Sequence, residues 1–263
     1  MKKTIAELGH GLAAELQKHR STFIFWATLL SPLVVAGITF LLVVTDSNYH
    51  ADVPARWHVL FNYKAYFHIF TLILILWVSQ VNYLEHKNNT WKNIHVLPVP
   101  PWIIFFSKLL FAYLILAFNI LLFYLLVLTS EVLLGQLRPE LGFQHGNYWL
   151  EALIPTIKYL LASSTVIALM FVISHYFKSL VVSITLGLVG YVSAFALFLL
   201  TSRAGYTGFP YAKLHPFNFS GHAFRSFGTG NHSLNMESVY YGILGAVVIL
   251  VGYYFASRQK NIV

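Results

Sequence analysis

The sequence predicts an all-α, polytopic membrane protein. It has six transmembrane helices, an amphipathic interfacial helix ahead of them and a short cytoplasmic coupling helix between spans two and three. Three observations lead there. Hydrophobic residues fill 57% of the 263 positions and charged residues only 10%, against about 25% charge in soluble domains. Mean hydropathy is +0.66. The apolar residues gather in six stretches, each near the roughly 20 residues that cross a bilayer. So little charge cannot cover a water-facing surface, and so much apolar residue excludes disorder. Aromatic residues, 17% of the chain, suit lipid and its interfaces. The absence of cysteine removes disulfides, thiolate metal sites and cysteine nucleophiles.

Residues 1–21 place Ile5, Leu8, Leu12 and Leu16 at helical spacing, with Glu7, Glu15 and Lys18 off that stripe. This predicts a helix lying on the cytoplasmic face or capping the bundle. It is not a cleavable signal, because a polar stretch separates Lys2 and Lys3 from a span too long for an h-region. The spans are 22–44, 63–83, 102–129, 152–174, 180–200 and 239–256, in a single membrane-embedded domain over 1–263. Pro32 removes a backbone donor from the first span and kinks it. The third is long enough to tilt. Ser163, Ser164 and Thr165 in the fourth read as packing glue. Gly187 and Gly190 in the fifth, and Gly242, Gly245 and Gly252 in the sixth, mark close-packed faces. The Gly252–Ala256 step fits packing within the chain or a dimer seam.

Six spans put both termini on one side. Segments on that side hold nine Lys and Arg in 51 residues, and those opposite hold five in 78. The positive-inside rule makes the first side cytoplasmic. The net charge of +8 is then loop asymmetry rather than a nucleic-acid surface.

Charge inside a membrane marks function by default. Asp and Glu are missing from all six span interiors. Lys64 and Lys158 lie near outer ends and Lys108 near an inner one, each placed to snorkel. His68 is the one possible intramembrane polar site. Ion-coupled carriers use buried carboxylates or broken helices, and an intramembrane metalloprotease uses HExxH; neither is present. The outer histidines His50, His58, His145, His215, His222 and His232 lack metal-site spacing. No site residue is assigned to catalysis, a cofactor or a metal.

Residues 84–101, LEHKNNTWKNIHVLPVPP, are short, polar and amphipathic. Trp91, Ile94 and Leu97 can line one face, with Glu85, Lys87 and Lys92 elsewhere. Such a segment suits docking of a soluble partner or anchoring at the headgroups. A glutamate just after the second span (Glu85), then Thr90-Trp91-Lys92, then Leu97-Pro98-Val99, then Lys108 entering the third span resembles the type-2 ABC exporter permeases. Glu15 and Lys18 ahead of the first span fit as well. The subgroup resembled includes permeases of lantibiotic and bacitracin immunity, sodium export, gliding motility and nitrous-oxide-reductase maturation. Asn88-Asn89 stands where relatives often have a glycine-bearing turn, and asparagine tolerates the same backbone region.

The resemblance implies a permease in the bacterial cytoplasmic membrane, not an enzyme, that moves an apolar or amphiphilic substrate. No GxxxxGK[ST] loop occurs in the chain, so it cannot itself hold ATP phosphates in that way; the resemblance implies that ATP and Mg are bound by a separate cytoplasmic ABC ATPase, in two copies. Two permeases, identical or closely related, would pair, with membrane lipids as the remaining partner and no nucleic acid. The implied docking residues are Trp91, Ile94 and Leu97 as anchors, with Glu85, Lys87 and Lys92 as polar rim contacts. The resemblance also implies short outer helices or a re-entrant piece within 201–238. Its Phe217, Phe219 and Phe224 form either an outer gate or a lid packed on the bundle. Two alternatives stand beside this: a non-transporting sensor or scaffold of the same build, and a metal-dependent enzyme using His68, His175 and the outer histidines.

Overall fold

A computed structural model describes residues 2–45, 64–87, 99–141, 149–203, 214–219 and 236–258. Seven long helices follow in chain order: α1 (Lys2–His19), α2 (Phe23–Thr45), α3 (Lys64–Lys87), α4 (Pro101–Leu137), α5 (Trp149–Tyr176), α6 (Leu180–Arg203) and α7 (Met236–Arg258). Short 3-10 turns stand at Pro139–Leu141 and Pro216–Asn218, and the described residues contain no strand. The expected all-α membrane fold is what the chain adopts. Five helices are long and apolar enough to cross a membrane, and α7 adds a shorter apolar run, Val239–Tyr254.

The helices overrun the expected spans at several ends. The largest excess is in α4, whose 37 residues give a length of about 55 Å. Its start follows from the Pro-Pro step, since proline at the first helical position loses no bond that the helix would have made. The extensions bring Glu85 into α3 and Glu131 into α4.

α3 is the innermost helix. It packs against α2, α4, α5 and α6, and Tyr66, Phe70, Leu74, Ile75, Trp77, Val78 and Val81 are buried along it. α1 lies on α4, and α7 lies on α5. Tyr253 of α7 meets Phe105 and Phe106, near the start of α4, with ring centroids 5.5 and 5.6 Å apart. α1 and the later turns of α7 therefore share the end of the bundle where α3 finishes and α4 begins. At the opposite end Arg138 Nη1 donates to the Val43 carbonyl (3.1 Å) and caps the last turn of α2.

Neutral polar groups join the helices. Without water in the bilayer core, each buried N–H and C=O needs a protein partner. Pro32 cannot donate to the Thr28 carbonyl, and Asn119 of α4 fills that vacancy with its Nδ2. The same amide donates to Ser31 Oγ (3.1 Å), and its oxygen accepts from the Tyr66 hydroxyl. One asparagine thus ties α2, α3 and α4 at the proline. Asn82 of α3 donates to Ser174 Oγ (2.8 Å) and the Phe171 carbonyl (3.3 Å) on α5.

Thr165 donates to the Tyr241 carbonyl of α7. A Cβ on Gly245 would come within 3.1 Å of the α5 backbone at Ser164 and Thr165, and one on Gly252 would collide with Val172. Gly245 and Gly252 of α7 are therefore spent on packing within the chain, and of the polar patch of α5 it is Thr165 that bonds across to α7, while Ser164 bonds the Leu161 carbonyl of its own helix. The outward faces of α2, α6 and α7 stay apolar, with Val34, Leu42, Val189, Val192, Ile243 and Leu250 exposed.

The Ile5–Leu16 stripe of α1 is split: Leu8 and Leu12 are partly buried toward the bundle, while Ile5 and Leu16 are exposed and Glu15 and His19 are buried. The inward face runs through Leu8, Gly11, Leu12, Glu15 and His19, because Gly11 admits the close approach of Ser107 on α4. Lys158 does not snorkel; it is buried on α5.

Asn119→Leu removes the amide that joins the Thr28 carbonyl, Ser31 Oγ and the Tyr66 hydroxyl and leaves Ser31 Oγ as the remaining donor to that carbonyl (2.9 Å), a loss of about 1–3 kcal/mol. In a Pro32→Ala background the backbone itself bonds the carbonyl, so the same substitution should cost less. A double-mutant cycle of unfolding in detergent measures the difference, and equal costs would refute the cap.

Candidate functional site: a buried ion-pair node

The most chemically distinctive place in the described structure is a cluster of charges where α1, α3 and α4 converge. Lys108 stands about two turns into α4 and is 1% exposed. Its Nζ lies 3.0 Å from Glu15 Oε1 of α1 and 3.0 Å from Glu85 Oε1 of α3. Lys18 closes the arrangement, 3.1 Å from Glu15 and 2.6 Å from Glu85. Two ammonium groups thus alternate with two carboxylates, and the formal charge of the four is zero. Glu15 and Glu85 are buried, whereas the Lys18 side chain keeps 40% of its surface. Burial works to lower the Lys18 pKa, but Glu15 and Glu85 outweigh it and hold the ammonium above its ordinary value.

Local folding delivers each member. The last turn of α1 brings Glu15, Lys18 and His19 onto adjoining positions, with His19 Nδ1 2.9 Å from the Glu15 carbonyl. α1 then ends, and Thr22 bonds the His19 carbonyl through both N–H and hydroxyl (2.8 Å each) as the chain turns into α2. α3 continues to Lys87, which carries Glu85 past the apolar core. Trp77 and Phe111 close the node on its apolar side, with ring centroids 5.3 and 5.2 Å from that of His19. Lys108 therefore does not reach for headgroups: two carboxylates from other helices meet it inside the protein.

A family model for ABC-2 family transporter proteins matches residues 11–194, from within α1 to late in α6. That stretch covers well over half of the chain and all four members of the node. The chain belongs to the ABC-2 transporter family. It is thus a multi-pass membrane component of an ABC transporter, of the kind that works with an ATP-binding subunit. No curated protein and no solved structure matches the chain.

The structure places the candidate residues of this ABC-2 permease unevenly. Glu85 is 2% exposed, with its carboxylate turned to Lys18 and Lys108 rather than to a surface. Lys87, two residues on, is exposed. Trp91, Lys92, Ile94 and Leu97 lie outside the described residues, between the end of α3 and the start of α4. Phe217 packs where α6 has Gly190, and Phe219 stacks on Tyr241 of α7 with centroids 3.9 Å apart; Phe224 lies outside the described residues.

His68 faces outward at the far end of α3, its Nδ1 2.9 Å from the Tyr191 hydroxyl of α6. His175 sits at the node end, edge-on to Phe105 at 5.5 Å. The two histidines of the enzyme alternative are thus at opposite ends of the bundle. Among the described residues no three His, Cys, Asp or Glu side chains come together to hold a metal. Of the outer histidines only His215 is described. It pairs with Ser193 (3.1 Å), and burial lowers its pKa.

Sequence reasoning missed the node as a unit. Its signal was the odd presence of a lysine inside an apolar span, read too readily as snorkelling.

Removing one partner of a buried ion pair costs about 3–5 kcal/mol, and an exposed pair is worth about 0–1. Lys108→Met should therefore destabilise the detergent-solubilised protein several-fold more than Lys18→Met. Equal effects in thermal unfolding would mean that Lys108 is not the centre of the node.

Proposed function

We propose that this chain is the permease subunit of an ATP-driven exporter. It would move or extract an apolar or amphiphilic substrate, such as a peptide or lipid, with ATP and Mg bound by a separate ABC ATPase. The observation that carries the reading is the position of the node. Glu85 lies two residues before the end of α3 and Lys108 seven after the start of α4. Glu85 thus sits at the start of the 84–101 segment that the resemblance assigns to docking, and Lys108 lies seven residues past its end. Force applied there would reach α3, α4 and α1 together, because the node joins all three.

In this reading Trp91, Ile94 and Leu97 anchor the ATPase, and Lys87 and Lys92 contribute rim contacts. Glu85 acts from inside, by fixing the segment to α1 and α4. Two permeases pair over two ATPases, and closure of the ATPases drives a rigid-body change in the bundle. The excess of Lys and Arg on the terminal side supports a bacterial cytoplasmic membrane with both termini inside. Apolar spans support an amphiphilic cargo, and the packing of Phe217 and Phe219 on α6 and α7 favours a lid on the bundle over an outer gate.

The test is co-purification. The tagged permease should retain a cytoplasmic ATPase, and substitution of Trp91 and Lys92 with alanine should lower recovery at least tenfold without changing the melting temperature. ATP hydrolysis by the complex should rise with substrate. An ATPase that binds but is never stimulated favours the sensor or scaffold alternative. Absence of any ATPase after crosslinking in membranes would sink both.

A further inference from the structure

His19 is fully buried, and its hydrogen bonding is half complete. The Glu15 carbonyl can only accept, so the proton of the neutral ring sits on Nδ1 and is donated there (2.9 Å). Nε2 is then a bare lone pair, buried with no donor in reach. Glu15 Oε2 is likewise buried without a partner, and it lies 3.8 Å from His19 Nδ1. The ring's unused nitrogen thus faces away from its engaged edge, and an unused carboxylate oxygen lies near that engaged edge, within a node whose four charges already cancel.

The groups facing the ring define what protonation would meet. α1 supplies Glu15 and Lys18, and α4 supplies Lys108 and Phe111. α3 supplies Trp77 against the ring and Glu85 behind the two lysines. α2 contains no titratable residue. A proton on Nε2 would place a charge between Trp77 and Phe111 with no acceptor, and would give the node a net positive charge. The nearest relief is Glu15 Oε2, which an N–H can engage only if the ring swings away from the Glu15 carbonyl. That motion gives up the bond that ties the ring to the last turn of α1, the turn that holds Glu15 and Lys18 in the node.

We propose that His19 is a proton-operated latch, which seats the end of α1 against α3 and α4 when neutral and releases it when protonated. The direction of linkage agrees. Burial is the main cause holding the folded-state pKa of His19 below its ordinary value. Above about pH 6.5 the ring is neutral both seated and released, so pH has no effect. As pH falls below that, the released state takes up the proton first and seating is lost, by at most tenfold per pH unit for one proton.

The latch concerns α1 and stands whether or not an ATPase partner is found. Hydrogen exchange of the full-length protein in lipid nanodiscs, followed by mass spectrometry and corrected for intrinsic rates, tests it between pH 7.5 and 5.0. Protection of the α1 amides should fall about tenfold or more across that range, while the core of α3 stays protected. His19→Gln can keep a side-chain bond to the Glu15 carbonyl but cannot titrate, and its α1 protection should not change with pH. His19→Phe keeps a ring against Trp77 and Phe111 and serves if the glutamine variant misfolds. Constant protection in the wild type, or an undiminished fall in both variants, would overturn the latch.

Discussion

An ammonium withdrawn from water inside a membrane protein must find its counter-charge in the same protein, and Lys108 imposes that demand on this fold. Desolvation costs several kcal/mol per ion even after relaxation, and Lys108, at 1% exposure, offsets it with carboxylates in contact. Glu15 and Glu85 meet it at 3.0 Å from two different helices. The rest of that end of the bundle follows. α1 must fold back onto α4, which Gly11 permits by leaving room for Ser107. α3 must run on to Lys87. The turn between α1 and α2 must be tight, which Thr22 secures. Lys18 balances the second carboxylate and retains its contact with water.

The same rule governs the neutral groups further along the bundle. Pro32 frees a carbonyl and Asn119 takes it up; Asn82 and Thr165 reach backbone carbonyls of neighbouring helices. Between helices in lipid there is little hydrophobic force, because the acyl chains are as apolar as leucine. Close packing at small residues and these few hydrogen bonds set which helix lies beside which. α3 sits at the centre because it and its neighbours exchange most of them. α2, α6 and α7 present apolar faces outward, where nothing but length and apolarity is asked of the sequence.

That difference explains how much could be read beforehand. The spans were legible because length and apolarity alone specify them, and so was the close-packed face of α7 because of its glycines, though not that α5 would be the helix to meet it. The inward face of α1 was not. A stripe rule assumes that apolar residues face protein, whereas a helix against both lipid and a charged node can turn Ile5 and Leu16 outward and Glu15 inward. The pairing of Glu15 with Lys108 spans 93 positions, and no periodicity registers a contact at that distance. Glu85 and Lys108 were visible through the family resemblance, but as separate features. Nor does α2 announce that its proline will be answered by Asn119, 91 positions from the carbonyl that accepts. Residues 88–98 of the proposed docking segment 84–101, and Phe224, lie outside the described residues, so the sequence remains their only account.

The charge node has one property that an apolar contact at the same place would lack. Apolar burial is non-directional, and two greasy helix surfaces can slide past one another at little cost. Alternating ammonium and carboxylate groups cannot, because a shift of one helical turn would set like charges together or strand one in a low dielectric. The node therefore has few acceptable arrangements, and a device that must pass a push from a soluble subunit into a bundle needs that discreteness. Charge neutrality keeps the arrangement affordable within the membrane, and the partly exposed Lys18 keeps it near water. A single added charge is then the smallest perturbation able to unbalance it. His19, buried and touching Glu15, has an ordinary pKa close to neutral pH, and burial lowers it further.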